Sequence, residues 1–246
     1  MEDKIKRLNE IIQESEKVAF LGGAGVSTES GIPDFRSKDG LYNKIDDKYK
    51  DYQPEYLLSY GCLEKKPELF FEFYREKMDA RNVKPNRAHY KLAEMEKSGK
   101  LNGVVTQNID GLHQKAGSEK VWEIHGTMMK AHCMSCDKAF DGDYIFENND
   151  TIPKCPHCGG VIRPDVVLYG EWLPEPAYSM SVLTIGKADC LIIGGTALKV
   201  DTAGSLARSY TGKHLIIINK GETPMDERAD IVFHESIGDI MEQIEV

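Results

Sequence analysis

Four polar side chains of the types that carry chemistry follow two short apolar runs near the middle of the chain. Gln107, Asn108 and Asp110 come just after the first run, and His125 follows the second, Val121 to Ile124. In α/β folds, polar groups placed past the carboxyl ends of buried strands line the ligand crevice. The pattern therefore predicts a site that combines two amides, a carboxylate and an imidazole.

A simpler interpretation assigns two of these residues to helix capping. Asn108 and Asp110 directly precede a short predicted helix from Gly111 to Ala116, and such residues are common caps. Capping is the weaker explanation, because it leaves Gln107 and His125 without a role.

Four of the six cysteines form two C-x-x-C pairs separated by 18 residues, a spacing typical of four-thiolate zinc sites. The predicted ligands are Cys133, Cys136, Cys155 and Cys158. Four protein ligands close the coordination sphere, so the metal is expected to be structural. Redox-active dithiols are the alternative, but two pairs at this spacing favour zinc. The remaining thiols, Cys62 and Cys190, are expected to be buried and free.

A glycine turn follows the first predicted strand, Lys17 to Leu21. The order of strand, glycines and then Ser27 and Thr28 is typical of a phosphate-binding turn that opens a helix. The glycine fingerprint is incomplete, because Thr28 occupies its third position, and no acidic residue closes a second strand ~20 residues later. An ordinary NAD dehydrogenase is therefore disfavoured, and a tight structural turn would explain the glycines about as well.

The segment from Glu29 to Gly40 has no periodicity and predicts a loop. Phe35 beside Arg36 suggests a lid that covers the aromatic ring and phosphates of a ligand. Alternatively, Phe35 fills the core and Arg36 is a solvated charge.

Composition narrows the class of protein. The chain has 246 residues, of which 41% are hydrophobic and 29% charged, as in a globular protein of one large domain or a domain with an insertion. A net charge of -9 disfavours direct nucleic-acid binding. No apolar run reaches the ~20 residues of a membrane span. The amphipathic first residues differ from a signal peptide, and paired cysteines favour a reducing, cytoplasmic location.

The remaining pattern alternates strands and helices. Apolar runs without period-two alternation, separated by helices, predict a parallel sheet covered on both faces. Residues 41 to 100 are expected to be mainly helical, with His89 structural rather than catalytic. Gly194-Gly195-Thr196 and Asn219, at two further strand ends, suit the phosphates and ribose hydroxyls of a nucleotide, although plain turns would also use them.

Taken together, the segments GGAGVSTESGIPDFR, TQNIDGLH, His125-Gly126, the two C-x-x-C pairs, VVLYGEWLP, GGTAL and NKGET resemble the sirtuins, the family of NAD-dependent protein-lysine deacylases. The resemblance runs in order over nearly the whole chain. It implies an α/β fold, with a Rossmann-like parallel sheet domain and a smaller domain made of a zinc ribbon and a helical insertion. Residues 1–246 would be a single catalytic unit, with the sheet domain in 1–37, 100–127 and 164–246, the helical insertion in 38–99 and the ribbon in 128–163.

The resemblance also implies roles for individual residues. His125 would be the general base, with Asn108 beside it as a catalytic residue. Peptide contacts would come from Val167, Tyr169 and Gly170. The expected NAD contacts are Ala24, Thr28, Phe35, Arg36, Gln107, Asn108, Ile109, Asp110, Thr196, Ala197, Asn219, Lys220 and Ile237.

The implied reaction removes acetyl groups from protein lysines, with NAD+ as co-substrate and one structural Zn²⁺ per chain. Its products would be nicotinamide, O-acetyl-ADP-ribose and free lysine. The expected partner is the acetylated lysine of a protein, with no membrane and no nucleic acid. Two alternatives stay open: a protein mono-ADP-ribosyltransferase using the same NAD site, and a non-catalytic module that senses NAD.

Three departures from the family pattern concern ligand contacts. Gly22 replaces a frequent threonine, and Ala197 replaces a frequent serine, which predicts somewhat weaker NAD binding. A subclass acting on succinyl groups carries Tyr-x-x-Arg where this chain has Phe71 and Tyr74. A buried acyl carboxylate would lack a cation there, so uncharged acyl groups are favoured.

Overall fold

Nine strands form two sheets in the computed structural model, which describes residues 1–35 and 37–246. In chain order the strands are β1 (Val18–Gly22), β2 (Leu101–Thr106), β3 (Val121–Glu123), β4 (Gly126–Cys133), β5 (Ala139–Asp141), β6 (Ile162–Val166), β7 (Cys190–Gly194), β8 (His214–Ile218) and β9 (Ile231–Phe233). The larger sheet has the order β3-β2-β1-β7-β8-β9 and the smaller β5-β4-β6. All pairs of the larger sheet are parallel, which confirms the predicted fold class.

Ten α-helices accompany these strands in the described part of the chain. They are α1 (Glu2–Glu14), α2 (Pro54–Leu57), α3 (Tyr60–Lys65), α4 (Pro67–Lys77), α5 (Arg87–Lys97), α6 (Leu112–Ala116), α7 (Asp143–Glu147), α8 (Glu175–Gly186), α9 (Asp201–Ser209) and α10 (Ile237–Met241). None of the helices in the described ranges has both the length and the apolar character that crossing a membrane requires.

Helices cover both faces of the larger sheet. Strands β1, β7 and β8 are buried along their whole length, as expected of parallel strands between two helical layers. Leu8 of α1, Leu92 of α5 and Ile240 of α10 pack in one apolar cluster with β1. Ile185 of α8 and Leu206 of α9 pack in a cluster that contains the residues on the opposite side of the same strands.

A third apolar cluster joins the smaller sheet to the helices between Pro54 and Lys77. Phe70 and Phe73 of α4 pack there with Ile162 of β6. Helix α5 lies inside the predicted insertion of residues 38–99, but its apolar face packs against the larger sheet. The division into domains stays a prediction, and this packing favours a boundary before α5.

The segment after the glycine turn differs from its prediction. In place of an α-helix beginning at Ser27, the chain forms two short 3-10 helices, Ala24–Val26 and Thr28–Ser30. Gly31 then adopts the left-handed conformation with φ 93°, and Pro33 follows two residues later. A proline disfavours helix at its own position and at the preceding residue, so too few residues remain to propagate an α-helix.

Candidate active site and metal centre

The loops that follow β1, β2 and β7 meet where the strand order of the larger sheet reverses. Strand β1 pairs with β2 on one side and with β7 on the other. Backbone hydrogen bonds join the loops, from Gln107 N to Gly22 O at 3.0 Å and from Gly25 N to Gly195 O at 2.8 Å. Such a switch point is where open α/β sheets bind their ligands.

Glycines permit the close approach of the first and third loops. Gly195 has φ 59°, and a Cβ atom there would lie 2.3 Å from the backbone nitrogen of Val26. No other residue type fits this position without moving the main chain. The approach also places Thr196 beside Gln107, whose Nε2 donates a hydrogen bond to the Thr196 hydroxyl at 3.0 Å. Two residues predicted to contact NAD from different strands are thus neighbours.

Asn108, Asp110 and Ser27 form a buried hydrogen-bonded cluster. The Ser27 hydroxyl donates to Asp110 Oδ2 at 2.7 Å and accepts from Asn108 Nδ2 at 3.0 Å. Asp110 Oδ1 accepts from the backbone N–H of Leu112 at 2.9 Å. Asp110 precedes Gly111, the N-cap of α6, and satisfies the first N–H of that helix while it also holds the cluster.

Ser27 is a site residue that sequence analysis assigned only to a helix start. Its side chain is 1% exposed and is hydrogen-bonded to both Asn108 and Asp110, which were predicted as site residues. Its position in the loop after β1 was the available signal, since loops at that edge of the sheet converge on the ligand crevice.

His125 lies beside this cluster, in the two-residue link between β3 and β4. Its Nδ1 is 3.1 Å from the carbonyl oxygen of Gln107. A carbonyl only accepts hydrogen bonds, so a neutral His125 carries its proton on Nδ1 and leaves the Nε2 lone pair available. Burial lowers the pKa of His125, and the bond to the Gln107 carbonyl opposes that shift. The imidazole is thereby favoured in its neutral, basic form.

The remaining predicted cofactor residues are distributed around the same edge of the sheet. Ala24, Ile109 and Ala197 are half-buried. Thr28 donates its hydroxyl to Gly25 O at 2.9 Å. Ile237 opens α10, and its side chain approaches Gly194 so closely that a Cβ there would lie 2.6 Å from Ile237 Cδ1.

Four predicted residues lie further from the cluster or outside the described residues. Asn219 and Lys220 follow β8, and the Asn219 amide donates to Gly221 O at 2.7 Å. No hydrogen bond among the described residues joins them to the loop of Gln107. Phe35 is half-buried, with its ring edge-on to Tyr42 at 5.4 Å. Arg36, the other half of the predicted lid, lies outside the described residues.

The predicted peptide-binding segment runs between His125 and the helical insertion. Val167 N donates to His125 O at 2.8 Å, and Tyr169 N donates to Leu58 O at 3.1 Å. Tyr169 O accepts from Tyr60 N at 3.1 Å. The segment therefore connects the loop of His125 to the chain around Leu58 and Tyr60. Gly170 follows with φ 94°. The main chain here thus ties the His125 loop to the smaller domain.

The four predicted zinc ligands converge in the smaller sheet. All four Sγ atoms lie within 4.8 Å of one another. Cys133 and Cys158 have their sulfurs 3.4 Å apart, and Cys136 and Cys155 have theirs 3.8 Å apart. A tetrahedral zinc site with Zn–S bonds of about 2.3 Å requires sulfurs about 3.8 Å apart. The arrangement therefore fits one zinc ion with a closed coordination sphere. Cys62 and Cys190 are buried and free, as predicted.

A parallel sheet with a glycine-lined switch point, joined to a small four-thiolate ribbon, defines a nucleotide-binding α/β protein with a structural metal unit. The chain belongs to the Sir2 family, whose family model matches residues 23–202. A protein of Clostridium acetobutylicum named NAD-dependent protein deacetylase is 51% identical over 242 residues, covering 98% of each chain. The recognised resemblance is thereby confirmed.

Solved structures of the family have the same fold. A structure described as Sir2 bound to acetylated peptide is 33% identical with a TM-score of 0.85, and covers 97% of this chain and 95% of that chain. A structure described as Sir2 with a p53 peptide and NAD+ is 35% identical with a TM-score of 0.84 and the same coverage.

Proposed function

We propose that this protein is an NAD-dependent protein-lysine deacetylase. It transfers the acetyl group of an acetylated lysine to the ADP-ribose part of NAD, giving nicotinamide, O-acetyl-ADP-ribose and free lysine. The observation that carries the proposal is His125, a half-buried imidazole whose Nδ1 proton is held by the Gln107 carbonyl and whose Nε2 has no hydrogen-bond partner among residues 1–35 and 37–246. The full-length likeness to a protein named for this activity supports it.

The loops of the switch point would hold NAD. Gly25 and Gly195 allow close backbone approach, and Gln107, Thr196 and the Asn108 amide supply polar groups. When bound, NAD supplies a nicotinamide leaving group and a ribose hydroxyl. The Asp110 carboxylate and the Asn108 amide oxygen would supply negative potential for the positive charge that develops when the ribose carbon loses nicotinamide. His125 Nε2 would accept the proton of the ribose hydroxyl that attacks the acyl carbon.

The metal has no part in these steps. Zinc held by Cys133, Cys136, Cys155 and Cys158 has no open coordination position, so it stabilises the ribbon and does not activate water. The ribbon strand β6 leads directly into the segment of Val167 to Gly170. Zinc thereby supports the position of the proposed peptide-binding segment.

Uncharged acyl groups are the favoured substrates. Phe71 and Tyr74, at the positions where a subclass carries Tyr-x-x-Arg, are both fully buried. The neighbouring Arg75 is committed to main-chain carbonyls of Ile145 and Asp150 at 2.7 and 2.8 Å. The charge of Arg163 reaches Tyr74, but that guanidinium is already paired with Glu171. An acyl carboxylate brought to these side chains would therefore be buried without an unpaired cation, at a high desolvation cost.

A cytoplasmic location and the absence of direct nucleic-acid binding complete the proposal. Four thiolates committed to zinc and two free buried thiols favour a reducing compartment. The net charge of -9 opposes association with phosphate backbones.

The test is nicotinamide release measured with an acetyl-lysine peptide, for the wild type and His125→Ala. The wild type should release nicotinamide only when the peptide is present. His125→Ala should bind NAD and peptide with little change but lose at least ~100-fold in kcat, since the general base is gone. Full activity of the variant would remove His125 from this role, and addition of ADP-ribose to the peptide without loss of acetyl would favour the transferase.

A further inference from the structure

An open groove of about 680 Å³ lies beside the proposed peptide-binding segment. Val167 and Gly170 are among its lining residues, so the groove continues the surface that would hold the substrate main chain. Tyr60 and Trp172 also line it, and they are 37% and 96% exposed. A nearly fully exposed indole leaves a large apolar surface in water, and such residues are typical anchors of binding interfaces.

The groove is lined by two carboxylates, Asp165 and Glu171, and by one guanidinium, Arg163. Arg163 is buried, and its guanidinium pairs with Glu171 through two hydrogen bonds of 2.5 and 2.7 Å and donates to Val166 O at 2.9 Å. Glu171 also accepts from Leu168 N at 2.9 Å. This pair is therefore committed to shaping the loop. Asp165, at the rim, contacts His132 Nδ1 at 2.5 Å.

Since Glu171 neutralises Arg163, Asp165 is the carboxylate of the groove that is not paired with a guanidinium. The side chains of Asp165 and His132 are 34% and 36% exposed. The carboxylate and the exposed indole of Trp172 lie in one groove, and both favour a cation, the first by charge and the second through its π face.

We propose that this groove binds a lysine or arginine side chain of the substrate located within two residues of the acetyl-lysine, with Trp172 and Asp165 as its specificity-determining residues. The inference rests on the proposed function. An extended chain advances about 3.3 Å per residue, so a side chain one or two positions from the acetyl-lysine reaches a groove that begins at Val167 and Gly170.

The test compares acetyl-lysine peptides that carry either lysine or norleucine at the two positions on each side. Norleucine keeps the aliphatic stem and removes the charge. We expect the wild type to bind the lysine peptide roughly three- to tenfold more tightly, as a partly exposed cation–π contact with a nearby carboxylate predicts. The difference should shrink in high salt, because exposed charges are screened.

Trp172→Ala and Asp165→Asn should each reduce this ratio of affinities. Two matched changes outside the groove, Tyr90→Ala at an aromatic that is 53% exposed and Glu227→Gln at an exposed carboxylate, should leave it as in the wild type. Peptide binding should also shift the fluorescence of the exposed Trp172, a change absent from Trp172→Ala.

Binding and turnover separate the two proposals. Equal affinities of the wild type for both peptides, tighter binding of a glutamate-flanked peptide, or an unchanged preference in Trp172→Ala and Asp165→Asn would overturn the assignment of the groove. A binding preference that depends on Trp172, without turnover of any peptide, would support the groove and refute the deacetylase.

Discussion

Replacement of Ser27 by alanine should damage both the stability and the activity of this protein. The hydroxyl is 1% exposed and makes two side-chain hydrogen bonds, one to the Asp110 carboxylate at 2.7 Å and one from the Asn108 amide at 3.0 Å. Hydrogen bonds to charged groups contribute about 1.5 to 3 kcal/mol, and neutral ones about 1 kcal/mol. Since water has little access to replace them, the free energy of unfolding should fall by about 2 to 4 kcal/mol.

The matched control is Ser181→Ala. Ser181 is 0% exposed, and its hydroxyl donates only to the carbonyl of Ala177 one helical turn earlier, at 2.7 Å. That carbonyl belongs to the backbone ladder of α8, so the change should cost less than about 1 kcal/mol.

Urea unfolding gives the free energies, and steady-state kinetics with NAD and an acetyl-lysine peptide give the activity. With Asp110 and Asn108 no longer fixed by a common partner, Ser27→Ala should lose roughly tenfold or more in kcat/KM, as expected when reacting groups are misplaced. A Ser27→Ala variant as stable as Ser181→Ala, with wild-type kcat/KM, would refute the idea that this hydroxyl organises the site.

Three further predictions concern the metal and the histidines. Chelation, or Cys133→Ser, should release one zinc per chain and lower the melting temperature by more than about 10 °C, and an unchanged melting temperature in metal-free protein would contradict a structural role. Burial lowers the pKa of His89 to about 4 and that of His113 well below its usual value. The unfolded chain binds protons that the native state excludes, so stability should decline as pH falls below 6.5, by roughly 1.4 kcal/mol per pH unit for each histidine. The slope of the unfolding free energy against pH should flatten in His113→Phe. A slope equal to that of the wild type would count against a contribution of His113 to the pH dependence. Because burial lowers the pKa of His125, the acidic limb of kcat/KM should lie below pH 6.5, and a limb well above that value would indicate a different group.

The parts of the fold that sequence predicted are those with strong local signals. Apolar runs without alternation identified the strands of the parallel sheet, and the spacing of the paired cysteines identified the ribbon. Polar residues at strand ends identified the loop of Gln107 to Asp110, because the chain direction fixes which edge of a parallel sheet those residues reach.

The parts that sequence missed depend on contacts between distant segments. The role of Ser27 follows from its hydrogen bond to Asp110, which lies 83 residues further along the chain. The pairing of Leu58 and Tyr60 with Tyr169 joins two segments with no shared pattern. The close approach of Gly25 to Gly195 joins the loops of two separate strands, which local propensity does not encode. The same holds for α5, whose periodicity predicted a helix but not the sheet that it covers.

The central claim is that lysine deacetylation by this protein consumes NAD, and one mass balance tests it. An acetyl-lysine peptide is incubated with the protein with and without NAD, and all products are quantified by mass spectrometry. We expect one nicotinamide and one O-acetyl-ADP-ribose for each lysine freed, and no reaction without NAD. Loss of acetyl without NAD, or release of free acetate in place of the acetylated nucleotide, would contradict the account.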